Sequence, residues 1–369
     1  MSEVNWPLWM PLREDLKPLS PYGAPQVPAQ ATLNTNENPY PLSPEIAQAI
    51  ADRVHRVAGN LNRYPDRDAI ALRSALANFI NSLSGTEFSA DNIWAANGSN
   101  EIIQSLFMAF GHRPALGFTP SYSMHPLIAK VIGTQWIDGG RRADFSLDIA
   151  KAKSEIATAK PALTFVTTPN NPTGSTVTLA EIEDLVSATA QVNGLLIVDE
   201  AYAEFSDQPS AVTLLAKHSN LIVIRTMSKA FAFAGARLGY MVSNVELVSA
   251  MFLVRLPYHL STLTQAAAEV ALEFQSELLG NVSTLIQARK SVVSELEKMG
   301  LQVVPSQANF IIFSGFPMPP AQLWRQLLDR GVLIRDVGLL AHLRVTIGNE
   351  AENSKFIKAL QDILIGEGQ

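Results

Sequence analysis

The sequence predicts an α/β fold: a mostly parallel central sheet covered by helices, with a smaller α+β domain after it and an N-terminal arm before it. Three observations carry this expectation. Short continuous apolar runs, bounded by turn signals, alternate with helical patterns from Ser43 onward, as parallel strands buried on both faces do. After about Gln265 the texture changes to a long helical stretch followed by further strand-like runs. Nine prolines fall within the first 44 residues; each fixes φ and removes a donor, which suits an extended arm better than a packed domain.

The arm comes first. A disordered tail is the plain alternative, but Trp6, Trp9, Leu12 and Tyr22 favour docking on something, such as a partner subunit. Ser43-Pro44-Glu45 then reads as a helix cap with proline at the first helical position, and Ile46, Ile50, Val54 and Val57 recur at helical spacing. Strand-like runs follow at Ile93–Ala96, Ala115–Phe118, Leu163–Thr167, Leu195–Val198 and Leu221–Ile224, with helical patterns at Glu101–Phe110 and Leu179–Ala190 between them. The C-terminal part reads as a helical stretch over Thr264–Met299, strands at Leu301–Val304 and Asn309–Phe313, and a helix over Ala321–Arg330. Strands at Val332–Ile334 and Leu343–Ile347 and a helix over Glu350–Ile363 complete it. The expected division is an arm over 1–43, a large domain over 44–265 and a small domain over 266–369.

Composition excludes several classes of function. A chain of 369 residues can bury a large core, and 47% hydrophobic against 17% charged residues rules out a disordered protein. With 28 basic and 34 acidic side chains the net charge is −6, which argues against nucleic acid as a partner. There is no cysteine, and His55, His112, His125, His218, His259 and His342 lie far apart. Zinc-finger, iron–sulfur, cysteine-protease and disulfide readings therefore fall away, and no metal is expected. The N-terminus lacks a signal-peptide pattern and no run of about 20 apolar residues exists, so a cytoplasmic protein with no membrane partner is expected.

In a parallel sheet, ligands sit beyond the carboxyl ends of the strands, so the residues after each apolar run hold the chemistry. Asn97-Gly98-Ser99-Asn100-Glu101 opens a helix whose N-terminal N–H groups suit an anion, although a plain cap explains it too. Tyr122, in Thr119-Pro120-Ser121-Tyr122, is placed to stack on a planar ligand or to sit idle at a loop edge. Asn170 and Asn171 offer amides in a turn that any strand end could use. Asp199 follows a buried strand directly and needs a partner there; a protonated ring nitrogen is one, with Tyr202 in reach of the same ring, and a metal is a rival use of Asp199-Glu200. Thr226, Ser228, Lys229 and Arg237 combine two hydroxyls, an amine and a guanidinium, suited to an anion and a nucleophilic lysine. A lysine near cations and partly desolvated has a lowered pKa and can form a Schiff base.

Jointly and in this order, Asn-Asn-Pro-Thr-Gly at 170–174, Asp-Glu-Ala-Tyr at 199–202 and Thr-Met-Ser-Lys at 226–229 with Arg237 resemble the fold-type I pyridoxal-phosphate-dependent aminotransferases. The resemblance runs from about Asn34 to the C-terminus. It implies that Lys229 holds the cofactor aldehyde and later shuttles the α-proton, and that Asp199 pairs with the pyridinium nitrogen. It implies that Asn171 and Tyr202 meet the phenolic oxygen, that Tyr122 stacks on the ring, and that Ser99, Asn100, Thr226, Ser228 and Arg237 hold the phosphate. Arg344 matches the arginine that clamps a substrate α-carboxylate, an anion suited to a bidentate guanidinium.

Further segments are similar to the histidinol-phosphate aminotransferases: Leu33–Tyr40, which contains Asn36, Asn62–Asp66, Arg225–Arg237, Leu256–Ser261 and Gly331–Asp336. That resemblance implies a homodimer with shared sites, in which Tyr64 reaches the neighbouring subunit's cofactor phosphate and Tyr22 crosses to the partner's site. Asn36 and the arginines Arg335 and Arg344 would face the substrates: histidinol phosphate on one side, 2-oxoglutarate or glutamate on the other. Arg335 would bind the substrate phosphate; its plain alternative is a salt bridge with Asp336. The stretch from Asp336 to His342 is shorter and more apolar than in many relatives, and Phe231, Phe233 and Tyr258 would suit an aromatic substrate. An aromatic amino-acid aminotransferase is therefore the alternative reading. Phosphothreonine decarboxylation and a non-catalytic sensing module stand further off.

Overall fold

The computed structural model describes residues 6–21 and 23–366. Through Ala29 the described part of the arm holds no helix or strand. It is nonetheless tied down: Arg13 Nη1 donates 2.8 Å to Val131 O at the end of a helix, satisfying a carbonyl that the helix itself leaves open. The arm then becomes β1 (Ala31–Thr32) and leads into helices α1 (Pro44–Ala58) and α2 (Ile70–Ser84). The Ser43 cap is real, its side chain accepting from Ile46 N, with proline at the helix start.

The large sheet is built from β2 (Ile93–Ala96), β3 (Ala115–Gly117), β4 (Trp136–Asp138), β5 (Leu163–Thr167), β6 (Leu195–Asp199), β7 (Leu221–Thr226) and β8 (Gly239–Ser243). Its seven strands run β2-β8-β7-β6-β5-β3-β4. All are parallel except β8, which is antiparallel to both neighbours. The expected mostly parallel sheet is therefore present, and five of its strands were legible as apolar runs. β4 and β8 were not, although Gly133 and Gly139 bracket the one and Gly239 and Asn244 punctuate the other.

Alternation across the sheet makes two cores. Val166, Val198, Val223 and Val242 stand in register on one face and join a large apolar cluster with α2, α5 (Ile149–Ala159), α6 (Leu179–Gln191) and the C-terminal part. Phe165, Ile197, Ile222 and Met241 point the other way, under α3 (Ser99–Phe110), α4 (Met124–Ile132) and α7 (Val245–Val254). Each such fully buried side chain stabilises the sheet by about 1.5–3 kcal/mol.

The helical stretch expected over Thr264–Met299 is two helices, α8 (Thr262–Glu273) and α9 (Gln275–Lys298). Phe274 separates them: its φ of −101° and ψ of 20° leave helical geometry, and its ring packs on the core. No glycine or proline marks the break, so the periodicity runs through it. Beyond lie β9 (Gln302–Val303), β10 (Phe310–Ser314), α10 (Pro320–Asp329), β11 (Val332–Leu333), β12 (Leu343–Thr346) and α11 (Glu350–Gly366). β9, β10 and β12 form an antiparallel sheet, while β11 pairs in parallel with β1. The start of the chain is thereby stitched to its last third.

Candidate active site

The carboxyl ends of β3, β5, β6 and β7, with the start of α3, surround a cavity of about 620 Å³. It is lined by Ser99, Asn100, Tyr122, Asn171, Asp199, Tyr202, Thr226, Ser228, Lys229 and Arg237, with Asn36, Arg335 and Arg344, whereas Tyr64 and Tyr258 do not line it. Tyr22 lies outside the described residues; Ala24, two positions on, lines the cavity. Tyr64 is 79% exposed and stacks on Tyr258 with ring centroids 4.4 Å apart.

Lys229 stands just beyond β7 in a turn fixed by backbone bonds from Met227 N to Leu238 O and from Phe233 N to Met227 O. Its Nζ donates 3.1 Å to Thr35 O and lies 6.0 Å from the Tyr202 ring centroid. Burial lowers its pKa to about 8; Arg344 and Arg237 push the same way and Glu37 opposes them. This is the lowered pKa that the cationic setting of the sequence led us to expect, and it gives a usable fraction of neutral amine near neutral pH.

Asp199 closes β6 and is 2% exposed. Its Oδ2 lies 3.1 Å from His125 Nε2 and its Oδ1 accepts 3.2 Å from Ala201 N. His125, on α4, is wedged among Tyr122, Trp136 and Phe165. The sequence shows it only as one scattered histidine, because the pairing spans 74 residues. Glu200 turns the opposite way, to Arg225 Nη1 at 2.6 Å, and Arg225 Nη2 donates to Glu204 at 3.2 Å. Asp199 and Glu200 thus serve separate partners, and among the described residues no acidic or histidine cluster could hold a metal ion.

Tyr202 is the hub of the opposite wall. Its hydroxyl accepts from Asn36 Nδ2 at 2.9 Å and from Asn171 Nδ2 at 3.5 Å. Asn171 Oδ1 in turn accepts from Arg344 Nη1 at 2.6 Å, while Arg344 Nη2 donates 2.8 Å to Asn34 O. Asn36 has φ of 56°, a left-handed conformation that asparagine tolerates better than most. Thr346 and Asn309 hold it there. Asn34 was not singled out in the sequence; its backbone carbonyl carries no side-chain signal.

At the third wall, Gly98, with φ of 83°, precedes the N-terminus of α3. A Cβ at Gly98 would stand 2.7 Å from Arg237 Nη2, and one at Gly239 would stand 2.4 Å from Ser99 N. The two glycines let the guanidinium and the first helical N–H groups crowd together. Thr226 and Ser228 complete this cradle, and Tyr122 Oη donates 3.1 Å to Asn100 Oδ1. Hydroxyls, helix N–H groups and an arginine are the donor set of an anion site. A nucleophilic amine, a buried carboxylate, a phenol–amide wall and this cradle fit pyridoxal phosphate, the cofactor that the resemblance implies.

The far end holds Arg335, Asp336 and Val337. Arg335 and Arg344 exchange backbone hydrogen bonds of 2.9 Å in both directions. The expected alternative of an Arg335–Asp336 salt bridge is not what forms: Asp336 Oδ1 accepts from Gly338 N at 2.9 Å instead. Phe231 and Phe233 do not line the cavity, contrary to their suggested aromatic role; both are buried in the core, Phe231 edge-on to Phe79.

The fold and site together define an α/β protein with a buried lysine of lowered pKa at the carboxyl edge of its sheet. The chain belongs to the aminotransferase class I and II family, whose model matches residues 28–360. It is 53% identical over 353 residues to a histidinol-phosphate aminotransferase from Mycobacterium sp. (strain JLS), covering 95% of this chain and 93% of that protein. It is 51% identical to one from Rhodococcus opacus (strain B4), covering 97% and 94%. The histidinol-phosphate aminotransferase of Sinorhizobium meliloti, solved with pyridoxal-5'-phosphate, shares the fold at a TM-score of 0.82 and 24% identity, covering 97% and 98%.

Proposed function

We propose that this protein is a pyridoxal-phosphate-dependent transaminase that interconverts L-histidinol phosphate and 2-oxoglutarate with imidazole acetol phosphate and L-glutamate, a step of histidine biosynthesis. The observation that carries the reading is the placement of two arginines, Arg335 and Arg344, at one end of the cavity that holds Lys229. One substrate brings a phosphate and the other two carboxylates, so one cavity must serve both kinds of anion. Relatives of that name at about half identity support the same choice.

When bound, pyridoxal phosphate supplies an electron sink for the carbanion left as the α-proton departs. The chain's own residues do the rest. Lys229 would hold the aldehyde carbon, and its neutral Nζ would be the base for the proton at the substrate Cα. Asp199, kept in place by His125, would hold a proton at the ring nitrogen. Tyr202 and Asn171 would meet the phenolic oxygen, Tyr122 would cover the ring, and Ser99, Asn100, Thr226, Ser228 and Arg237 would hold the phosphate. Arg344 takes the α-carboxylate of glutamate; Arg335 takes its side-chain carboxylate or the phosphate of histidinol phosphate.

The chain works, in this reading, as a cytoplasmic homodimer, with the arm over 1–43, the large domain over 44–265 and the small domain over 266–369. Exposed Leu61, Tyr64, Ile70, Leu253 and Leu256 support a covered face, with Tyr64 and Tyr22 reaching the partner's site. The test is a half-reaction. Loaded protein mixed with histidinol phosphate, without keto acid, should convert to the pyridoxamine form far faster than with phenylalanine. The reverse preference would replace this function with an aromatic aminotransferase.

A further inference from the structure

The segment Thr35–Asn38 supplies Asn36 and Thr35 O to the site, yet its one charged residue, Glu37, has no part in the chemistry above. We propose that Glu37 recognises the imidazole ring of the substrate, its carboxylate accepting a hydrogen bond from a ring N–H. The inference rests on the histidinol-phosphate reading.

The substrate makes three demands on the cavity. Its phosphate needs cations and its amine meets the cofactor, which leaves a ring that carries at least one N–H donor and is partly cationic near neutral pH. Three carboxylates line the cavity: Asp199, Asp336 and Glu37. Asp199 is buried and engaged by His125 and Ala201 N. Asp336 sits beside Arg335 and accepts from Gly338 N. Among the described residues the Glu37 carboxylate accepts a single hydrogen bond, from Thr35 Oγ1 at 2.9 Å. A carboxylate has about four lone-pair positions, so Glu37 retains capacity for a ligand.

Its placement is firm although its side chain is exposed. Asn36 on one side is bound by Thr346 and Asn309; Asn38 on the other donates 3.3 Å to Ala230 O, next to Lys229. Glu37 and Lys229 line the same cavity, and the carboxylate raises the pKa of that lysine. The same charge repels a dicarboxylate such as glutamate and gains nothing from a phenyl ring, so it sorts substrates as well as binding one.

The experiment compares Glu37→Ala and Glu37→Gln in the pyridoxal-phosphate-loaded protein. The half-reaction with histidinol phosphate should lose about tenfold in kcat/KM in Glu37→Ala, the worth of one charge-assisted hydrogen bond at a partly exposed site. Glu37→Gln should recover part of that loss. With glutamate, either variant should match or exceed the original. Imidazole acetol phosphate, which binds the pyridoxal form without reacting, should bind Glu37→Ala about tenfold more weakly by calorimetry. Equal losses on both substrates, or unchanged histidinol phosphate kinetics, would overturn the inference alone. Failure of the unaltered protein to react with histidinol phosphate would overturn the functional reading and this one with it.

Discussion

The two ends of the cavity are built differently. The cofactor end grows from the buried ladder β5-β6-β7, where Asp199 and Thr226 are the last residues of their strands. Behind it, Arg225 is clamped between Glu200 and Glu204, all three side chains no more than 4% exposed. The substrate end hangs on one isolated bridge, Arg335 to Arg344, and a short loop whose Leu340 is 93% exposed. The contrast separates chemistry that must be held to fractions of an ångström from recognition that one loop can retune.

Breaking the cofactor end should cost most. Lys229→Ala removes both the covalent attachment and the proton carrier, and the transamination rate should fall by about 10⁴-fold or more; a stopped-flow half-reaction measures it, and survival of normal turnover would remove Lys229 from the mechanism. Arg225→Met leaves two buried carboxylates uncompensated and should destabilise the fold by about 3–5 kcal/mol, read from denaturant unfolding of the cofactor-free protein. Asp199→Ala should lower kcat by about 10²–10³-fold through lost electrostatic stabilisation. Normal kcat in that variant would mean that the ring nitrogen needs no partner here.

Changes at the substrate end should be milder and selective. Arg335→Ala should raise KM for histidinol phosphate by about 10–100-fold and move stability by no more than about 0.5 kcal/mol, as partly exposed positions away from the core do. An equal effect on a substrate lacking a distal anion would refute the assignment. The smallest effect is a shift in pH. Only the neutral amine attacks an aldehyde, so capture of pyridoxal phosphate by cofactor-free protein should speed up as pH rises through about 8 and then level, rather than climb towards 10.5. Arg344→Ala removes a cation that lowers the lysine pKa, so it should move that midpoint upward. A midpoint unchanged by the substitution would leave burial as the dominant cause.

The same contrast explains what could be read in advance. The cofactor end was legible because its chemistry follows directly after apolar strands: Asp199 after Leu195–Val198, Lys229 a few residues after Leu221–Ile224. His125 was not, since nothing local distinguishes a histidine that meets a carboxylate across the sheet from one that does not. Asn36 and Arg344 entered only through the family resemblance, and the Asn34 carbonyl that joins their wall, 310 residues from Arg344, was not legible. Helix α4, nine residues long, is too short for periodicity to reveal, and the α8–α9 break has no punctuating residue. Local pattern finds elements and their ends; partners brought together by topology need the fold.

The stitching of β1 to β11, and of Asn36 to Thr346, has a consequence for synthesis. Asn36 leaves the ribosome 310 residues before its partner Thr346, and β1 likewise long before β11. Contacts of such long sequence separation are the slow ones to form. The nascent protein therefore carries Thr35 and Asn36 unbraced until β12 is made, and a copy that terminates before β12 has Lys229 without that wall in place. Competence for amine transfer waits on β12.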